Sequence, residues 1–330
     1  MSVLGSAVRV GLYDEVTYKS SSGVTLGMLA YFMQNSMAAK RNLVQSNIIS
    51  ASRSRSIPGT GNLDVSGTLK TGLSPTHIWW WLKHILGAPT TTGASAPYTH
   101  TYRPGAMPVG FIVENDWIPA GISSKVEQFL GCRINDATFD FPQEGEATLT
   151  CSVNGAKYTI ASAPLDASLN DPGHVGWFAP DVTVNIAGAS SLKVKSASFK
   201  ISSNLETDRY CLGTGGERVD MPEGFADVTG SISAIFDTAS FTDYIDKAIA
   251  RTDTTLEIIC TSGAGTGASA GNEKLSLKLD HALISLPGKT IESPGGLEIN
   301  VEFSTFKSGA TDKGLIAVLL SPIATATIQA

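Results

Sequence analysis

Residues 63–87, LDVSGTLKTGLSPTHIWWWLKHILG, decide the fold because their pattern returns once, at residues 226–250, as ADVTGSISAIFDTASFTDYIDKAIA. The two stretches align without a gap. Four early positions match: Asp64 with Asp227, Val65 with Val228, Gly67 with Gly230 and Leu69 with Ile232. Each stretch alternates apolar and polar residues like a strand and then changes to helical spacing. The sequence therefore predicts two similar domains, in each of which a strand leads into a helix.

Both predicted helices have a start signal and an apolar face. Ser74, followed by Pro75, precedes the first helix and Asp237 the second, so a side-chain oxygen can accept a free backbone N–H in each. The apolar faces have the i, i+3, i+4, i+7, i+8 spacing of a helix packed on a sheet. Their matched residues are Ile78, Trp81, Leu82, Ile85 and Leu86 in one helix and Phe241, Tyr244, Ile245, Ala248 and Ile249 in the other.

Three consecutive tryptophans lie in the first helix, and the repeat gives each a different place. Trp81 aligns with Tyr244 and belongs to the predicted apolar face, which Trp79 borders. Trp80 aligns with Asp243 and is predicted to point away from the core. Because an exposed indole is unfavourable in a monomer, we expect Trp80 to contact another subunit or ring.

Each half also contains a predicted β-hairpin. Residues 136–155 form an alternating strand, a turn after Pro142 and a second alternating strand, and residues 281–306 repeat this order around Pro287. The two hairpins extend the internal repeat beyond the helices.

The expected fold class is all-β with one packed helix per domain. Residues 161–180 are rich in Pro, Gly and Asn and interrupt the periodic pattern, so we place the domain boundary there. Residues 1–165 and 166–330 then form two tandem β-sandwich or barrel domains related by internal duplication. Residues 88–108 have no counterpart in the second half and are predicted to be an inserted loop.

Composition favours a β-rich assembly protein over a helical enzyme. Only 16% of the 330 residues are charged, and the net charge of −6 divides into +2 for residues 1–165 and −8 for residues 166–330. The longest apolar runs are far shorter than the roughly 20 residues of a membrane-spanning helix. The N-terminus lacks the pattern of a secretion signal. We therefore expect no membrane span and synthesis in a cytoplasm.

No catalytic, cofactor-binding or metal-binding site is predicted. GASAG at residues 267–271 matches the G-x-S-x-G motif around Ser269, but it lies in a low-complexity loop rather than at a strand-to-helix turn. His77 and His84 are two helical turns apart, which is too far to share a metal ion.

Basic residues precede the first repeat, and two of them, Arg53 and Arg55, are candidates for a subunit contact. Together with Lys40 and Arg41 they could form a phosphate-binding stripe. Aromatic residues do not interleave with these charges, so a solvated or subunit-facing strand edge is the favoured interpretation.

The repeated pattern, with SGTL (residues 66–69), GCRINDATFDFPQEGEATLTCSVNG (residues 131–155), SASFKISSNLE (residues 196–206) and VTGSISAIFD (residues 228–237), resembles the tail tube proteins of tailed bacteriophages. It is most similar to the larger members, which carry two tube domains in one chain. The resemblance implies a structural virion protein of the tail, whose rings have sixfold or pseudo-sixfold symmetry and stack into the conduit for genome delivery. Two domains per chain need only three copies for six similar positions, so we expect a homotrimeric ring.

The resemblance also implies partners. A tape-measure protein would occupy the tube during assembly, DNA would pass without specific binding, and a sheath around the tube is left open. An acidic or neutral wall would let DNA slide, whereas a basic wall would retain it. Candidate lumen-facing acids are Asp140, Glu144, Glu146, Glu298 and Glu302, for each of which a solvated outer position is an equally good account.

Two other classes of protein stay open at this point. One is a different β-sandwich structural protein, such as a capsid-decorating protein or an adhesin. The other is a serine hydrolase that uses Ser269 and one of the scattered histidines. Replacing Ser269 with Ala would abolish the activity of a hydrolase and leave the assembly of a tube unchanged.

Overall fold

Strands dominate the structure, a computed structural model that describes residues 4–49, 53–190, 193–237, 241–263, 271–288, 296–308 and 314–328. The strands of the first half are β1 (Arg9–Asp14), β2 (Met28–Leu29), β3 (Gln34–Asn35), β4 (Ala38–Val44), β5 (Gly59–Gly72), β6 (Thr90–Thr92), β7 (Tyr98–Tyr102), β8 (Phe111–Asp116), β9 (Val126–Phe141), β10 (Thr148–Gly155) and β11 (Lys157–Ala161). Those of the second half are β12 (Val182–Ile186), β13 (Ala189–Ser190), β14 (Val194–Ser202), β15 (Asp227–Ile235), β16 (Thr254–Thr261), β17 (Lys274–Ile284), β18 (Glu298–Thr305) and β19 (Leu315–Ser321).

Few helical segments accompany the strands, so the all-β class is confirmed. Helix α1 (Ile78–Leu86) follows β5, and a π-helical segment (Phe241–Asp246) followed by the short helix α2 (Lys247–Ala250) comes after β15. Turns of 3-10 helix lie at Gly5–Ala7 and Ala179–Asp181. Among the described residues, no helix has the length and apolar character needed to cross a membrane.

One antiparallel sheet, here called the central sheet, runs through both halves in the order β4, β5, β10, β9, β14, β15, β18 and β17. Its strands alternate in burial: Ala197, Phe199 and Ile201 of β14 are buried, and the residues between them are not. Successive side chains of a strand point to opposite faces. The central sheet therefore has one covered face and one polar face.

The two predicted hairpins are present in this sheet. β9 and β10 pair antiparallel from Asp140 opposite Thr148 onward, with the turn after Pro142. β17 and β18 pair antiparallel around Leu283 and Ser304. Part of the connection between β17 and β18, residues 289–295, lies outside the described residues.

Strands from the two halves pair at two places. At the first, here called the half-to-half seam, β9 pairs with β14 and Phe139 lies opposite Phe199. At the second, β7 pairs with β19. One large hydrophobic cluster extends through both halves. The division into domains near Leu165 stays a prediction.

Residues 88–108 were expected to form an inserted loop, and this expectation is wrong. They contain β6 and β7, which pair with each other, and β7 also pairs with β19. The run YTHTY of β7 alternates, and His100 and Tyr102 on one of its faces are fully buried. β-branched and aromatic residues favour a strand, and this segment binds the first half to the second.

A second layer of strands lies beside α1. β2, β1, β8, the first part of β9 and β11 pair in that order. Helix α1 begins at Ile78, later than Ser74 predicted, because residues 75–77 form a turn. The Ser74 hydroxyl accepts a hydrogen bond from the Val175 N–H at 3.1 Å instead of capping the helix.

Candidate assembly surfaces

The polar face of the central sheet carries more carboxylates than lysines among the described residues. Alternation places six acidic side chains on it: Asp64, Asp136, Asp140, Asp227, Glu298 and Glu302. It places three lysines there, Lys40, Lys70 and Lys200, and a fourth, Lys195 at the bulge in β14, forms an ion pair with Glu298 of this face. Ser, Thr and Asn occupy most of the remaining positions. Such a surface is hydrophilic and repels phosphate groups.

Polar contacts cross this face at the half-to-half seam. The hydroxyls of Ser198 and Ser202 donate to Asp140 at 3.0 Å and to Asp136 at 2.6 Å, and the Lys200 ammonium lies 3.0 Å from Asp136. Partial burial acts against ionisation of Asp136, but the hydrogen bonds from Ser202 and Lys200 outweigh it and hold its pKa below the ordinary value. Asp136 therefore stays ionised, and the Lys200 ammonium beside it balances its charge.

The structure brings three of the five candidate lumen acids together. Asp140, Glu298 and Glu302 lie on the polar face. Glu144 and Glu146 lie in the turn between β9 and β10, off the end of that face, and Glu146 bonds to His174 at 2.7 Å. Glu144 and Glu146 are therefore weaker candidates for a position along the bore.

An exposed arm leaves the sheet where β4 and β5 meet. We call residues 43–49 and 53–58 the β4–β5 arm. Its large apolar side chains are all more than half exposed: Leu43, Val44, Ile48, Ile49 and Ile57. The predicted contact residues Arg53 and Arg55 lie on it and are also exposed. Clustered exposed apolar groups with basic neighbours are typical of a protein contact surface.

Trp80 was expected to be an exposed contact residue, and this expectation is wrong. Its side chain is 0% exposed, and its indole N–H donates to Asp14 at 3.0 Å. Its ring packs edge-on against Phe111 of β8. The layer formed by β1 and β8 covers the side of α1 that the repeat predicted to be open, so Trp79, Trp80 and Trp81 are all buried.

The connection between β14 and β15 provides a contact that the sequence alone did not reveal. This segment crosses onto the first half, where Arg218 is 5% exposed. Its guanidinium donates to the carbonyls of Val65 and Gly155 at 3.1 and 2.7 Å and forms an ion pair with Asp64. A buried guanidinium is stable only when its N–H groups are satisfied in this way. Arg218 therefore fastens the second half to the first.

Comparison with protein families finds a match over most of the chain. The family model for phage tail tube proteins matches residues 5–305. The chain belongs to the phage tail tube protein family. No curated protein shows significant similarity to it. The role of this tail tube protein is therefore structural, as a component of the phage tail tube.

Both histidines of the first helical region of this tail tube protein have structural partners. His77 stacks on and bonds to His174, and His84 bonds to Asp14. Burial, followed by the charge of His174, lowers the pKa of His77 to about 3. Within the described ranges, no group of three or more His, Cys, Asp or Glu residues could hold a metal ion. Ser269 lies outside the described residues.

Proposed function

We propose that three copies of the chain close into a ring with pseudo-sixfold symmetry, and that rings stack into the conduit through which the phage genome leaves. The observation that carries this proposal is the central sheet, which both halves share. Among the described residues it has a polar face and a free edge at each end, along β4 and along the last residues of β17 beyond Ala282. This role requires no catalytic site.

Strand registers support the internal duplication on which pseudo-sixfold symmetry depends. Gly67 of β5 lies opposite Val153 of β10, and the matched Gly230 of β15 lies opposite Phe303 of β18. A Cβ added at either glycine would lie less than 3.0 Å from neighbouring atoms. Both positions therefore need glycine because a backbone carbonyl lies close to each, that of Ser36 at Gly67 and that of Ser198 at Gly230.

The order of strands repeats as well. β4, β5, β10 and β9 in the first half correspond to β14, β15, β18 and β17 in the second. Two similar four-strand units then lie side by side, joined by β9 and β14. Three chains would supply six such units around a ring.

Open strand edges supply the means of closure. Among the described residues, β4 pairs with β5 on one side only. At the other end of the central sheet β16 pairs with β17 only as far as Ala282, so in the part of the chain that the structure describes Leu283 and Ile284 pair with β18 alone. An unpaired edge offers N–H and C=O groups to a strand from another chain. A head-to-tail contact between the two ends would close the sheet into a barrel.

The polar face would line the bore of that barrel. Its acidic side chains, including Asp140, Glu298 and Glu302, would repel the phosphates of DNA and leave the duplex free to slide. The same bore would hold a tape-measure protein during assembly in the host cytoplasm. The finished tube would be part of the virion tail, with or without a sheath around it.

Electron microscopy of the purified chain tests the proposed function. We expect rings or tubes whose central hole admits a duplex roughly 20 Å wide, and a mass of three chains per ring by native mass spectrometry. A chain that stays monomeric at high concentration would contradict the tube proposal. A ring of six whole chains would contradict the trimer alone.

Charge reversal tests which face lines the bore. Glu302→Lys on the polar face should leave assembly intact and make assembled tubes retain duplex DNA at low salt, because each ring then presents added cations to the phosphates. Asp246→Lys is the matched control, since Asp246 is exposed on the helical segment before α2. Equal retention by both variants would place Glu302 outside the bore.

A further inference from the structure

The half-to-half seam offers a template for contacts between chains. At this seam β14 pairs with the edge of β9, and the segment that follows β14 carries Arg218 across to Asp64 of β5. A strand pairing and an ion pair between the buried Arg218 and the half-exposed Asp64 thus act together where one half meets the other.

The gap-free alignment of the two halves also gives Arg218 an equivalent residue in the first half. Residues 55–67, RSIPGTGNLDVSG, align without a gap with residues 218–230, RVDMPEGFADVTG. Arg55 takes the position of Arg218, and Asp64 takes the position of Asp227. In three dimensions Asp64 lies opposite Lys40 of β4, and Asp227 lies opposite Ser202 of β14. The two aspartates therefore hold equivalent places in equivalent strand pairs.

The two arginines differ sharply in their surroundings. Arg218 is buried on the first half of its own chain. Arg55 is exposed on the β4–β5 arm, and Asp227 is exposed at the start of β15, where Asn204 donates to it at 2.8 Å. Arg55 and Asp227 are therefore both exposed. They are the residues that would pair if the contact between the two halves were repeated between two chains.

We propose that Arg55 of one chain forms an ion pair with Asp227 of a second copy, at a subunit joint that repeats the half-to-half seam. This inference rests on the proposed ring, and it names the residues that fasten one subunit to the next. The arm carrying Arg55 lies across the second half of the partner, as the segment carrying Arg218 lies across the first half of its own chain.

The same template fixes the strand register of the joint. At the seam Ser202 of β14 lies opposite Asp136 of β9, and Asp136 lies opposite Ser152 of β10. Lys40 is the equivalent of Ser202, because each lies opposite the matched aspartate. Strand register, rather than the alignment of Pro142 with Pro287, gives the equivalent of Asp136. Glu302 takes the place of Ser152, since each precedes the residue opposite a matched glycine, and Ser285, whose N–H donates to the Glu302 carbonyl at 2.9 Å, then takes the place of Asp136. Lys40 of β4 is therefore placed opposite the partner subunit's Ser285.

This register also accounts for two exposed apolar surfaces. In the same register Leu286 takes the place of Ala137, which is fully buried at the seam and lies opposite Ile201 of β14. A partner's β4 in the proposed register would cover Leu286 in the same way. The exposed Ile57 of the arm, two residues beyond Arg55, would be covered along with it.

Charge reversal tests the ion pair. Arg55→Glu and Asp227→Arg should each raise the concentration needed for assembly by about tenfold or more, because like charges then face each other across the joint. The double variant Arg55→Glu/Asp227→Arg should restore assembly to near that of the unaltered chain. Arg53→Glu is the matched control: Arg53 is equally exposed on the arm but aligns with Gly216, so this change should have little effect.

An engineered disulfide tests the strand register and leaves Arg55 and Asp227 unaltered. Directly opposed residues of antiparallel strands have Cα atoms about 4.5–5.5 Å apart, within the range of a disulfide. Lys40→Cys with Ser285→Cys, in a background in which the exposed Cys211 is replaced by Ser, should link chains to one another under mild oxidation. Arg41→Cys with Ser285→Cys, shifted by one residue, should link them poorly.

The outcomes separate this inference from the proposed function. If the unaltered chain forms no ring, the proposed function fails and the joint fails with it. If it forms rings and Arg55→Glu assembles equally well, or Arg53→Glu impairs assembly as much, the ion pair is overturned while the ring stands. A folded double variant that does not regain assembly, or preferential linking of the shifted cysteine pair, also overturns the joint.

Discussion

The two helical segments of the molecule align residue for residue but lie in different surroundings. In α1 every side chain except that of Lys83 is buried. In the second segment Tyr244 and Ile245 are buried, whereas Ile249 is 66% exposed. The aligned partner of Ile249, Leu86, is almost fully buried. Similar sequences can therefore pack on equivalent strands and still differ in what covers their outer side.

The N-terminal strands explain this difference. Asp14, at the end of β1, accepts the indole N–H of Trp80, the Lys83 ammonium at 2.6 Å and the His84 ring N–H at 2.8 Å. One carboxylate thus fixes three side chains of α1 against a layer that the alignment with the second half could not reveal. An internal repeat predicts which face of a helix meets its own sheet, but it does not predict what later covers the opposite face.

Removing the central indole should produce the largest effect. We expect Trp80→Ala to destabilise the monomer by about 4 kcal/mol, because it leaves a large cavity and removes the N–H that Asp14 accepts. Urea denaturation below the assembly concentration measures this loss. If Trp80→Ala kept the stability of the unaltered chain, α1 would be as weakly covered as the second segment.

The second-largest change in stability should come from Glu15, a buried carboxyl group directly after β1. Burial, only partly offset by the backbone N–H groups of Gly131 and Lys19, raises the pKa of Glu15 to about 7 from 4.5. Between these pH values the folded chain binds more protons than the unfolded chain, so stability should fall by about 3 kcal/mol as the pH rises from 4.5 to 7. This fall should be absent from Glu15→Gln. Parallel pH profiles of the two proteins would refute it.

The carboxylate that anchors α1 should titrate in the opposite sense. Burial acts to raise the pKa of Asp14, but the hydrogen bond from His84, whose own pKa is lowered by burial, and the charge and hydrogen bond of Lys83 lower it to about 2 from 3.8. The resulting stability, about 2 kcal/mol, should be present above pH 4 and lost as the pH falls toward 2. Asp14→Asn should lack this component. Acid titrations of both proteins, followed by circular dichroism, make the comparison.

The exposed end of the second segment should give the smallest effect. We expect Ile249→Asp to change the free energy of unfolding by less than about 0.5 kcal/mol, as is usual for a surface substitution. The same urea titration used for Trp80→Ala applies. A loss comparable to that of Trp80→Ala would show that the two segments are covered alike.

Local patterns explain what the sequence could and could not predict. Alternation correctly predicted the hairpins around Pro142 and Pro287, because burial on one face of a strand imposes a period of two. It did not place β7 beside β19, since pairing between distant strands leaves no periodic signal. Alignment with Asp243 wrongly predicted that Trp80 lies on an exposed side of the helix. A helix that is covered on both sides has no exposed polar face, so the pattern could not indicate one.

The arginines show a prediction that was useful but incomplete. Composition identified Arg53 and Arg55 as contact candidates, and the structure shows both to be exposed. Arg55 aligns with Arg218, which is buried and pairs with Asp64, whereas Arg53 aligns with Gly216. This distinction required the structure of the seam, because the aligned sequences alone do not show whether an arginine contacts its own chain or another copy.

Strand β9 gives the wall of the tube a mechanical property. Its first residues, from Val126 to Cys132, pair with β8 and β11 in the layer beside α1, and its later residues pair with β10 and β14 in the central sheet. Gly131, with a φ of 64°, lies where the strand passes from one layer to the other. In the proposed tube, where the central sheet forms the inner wall, a load on that wall would pass outward through the covalent backbone of one strand. The two layers would then flex together, because neither could slide without breaking the hydrogen bonds between β9 and its neighbours.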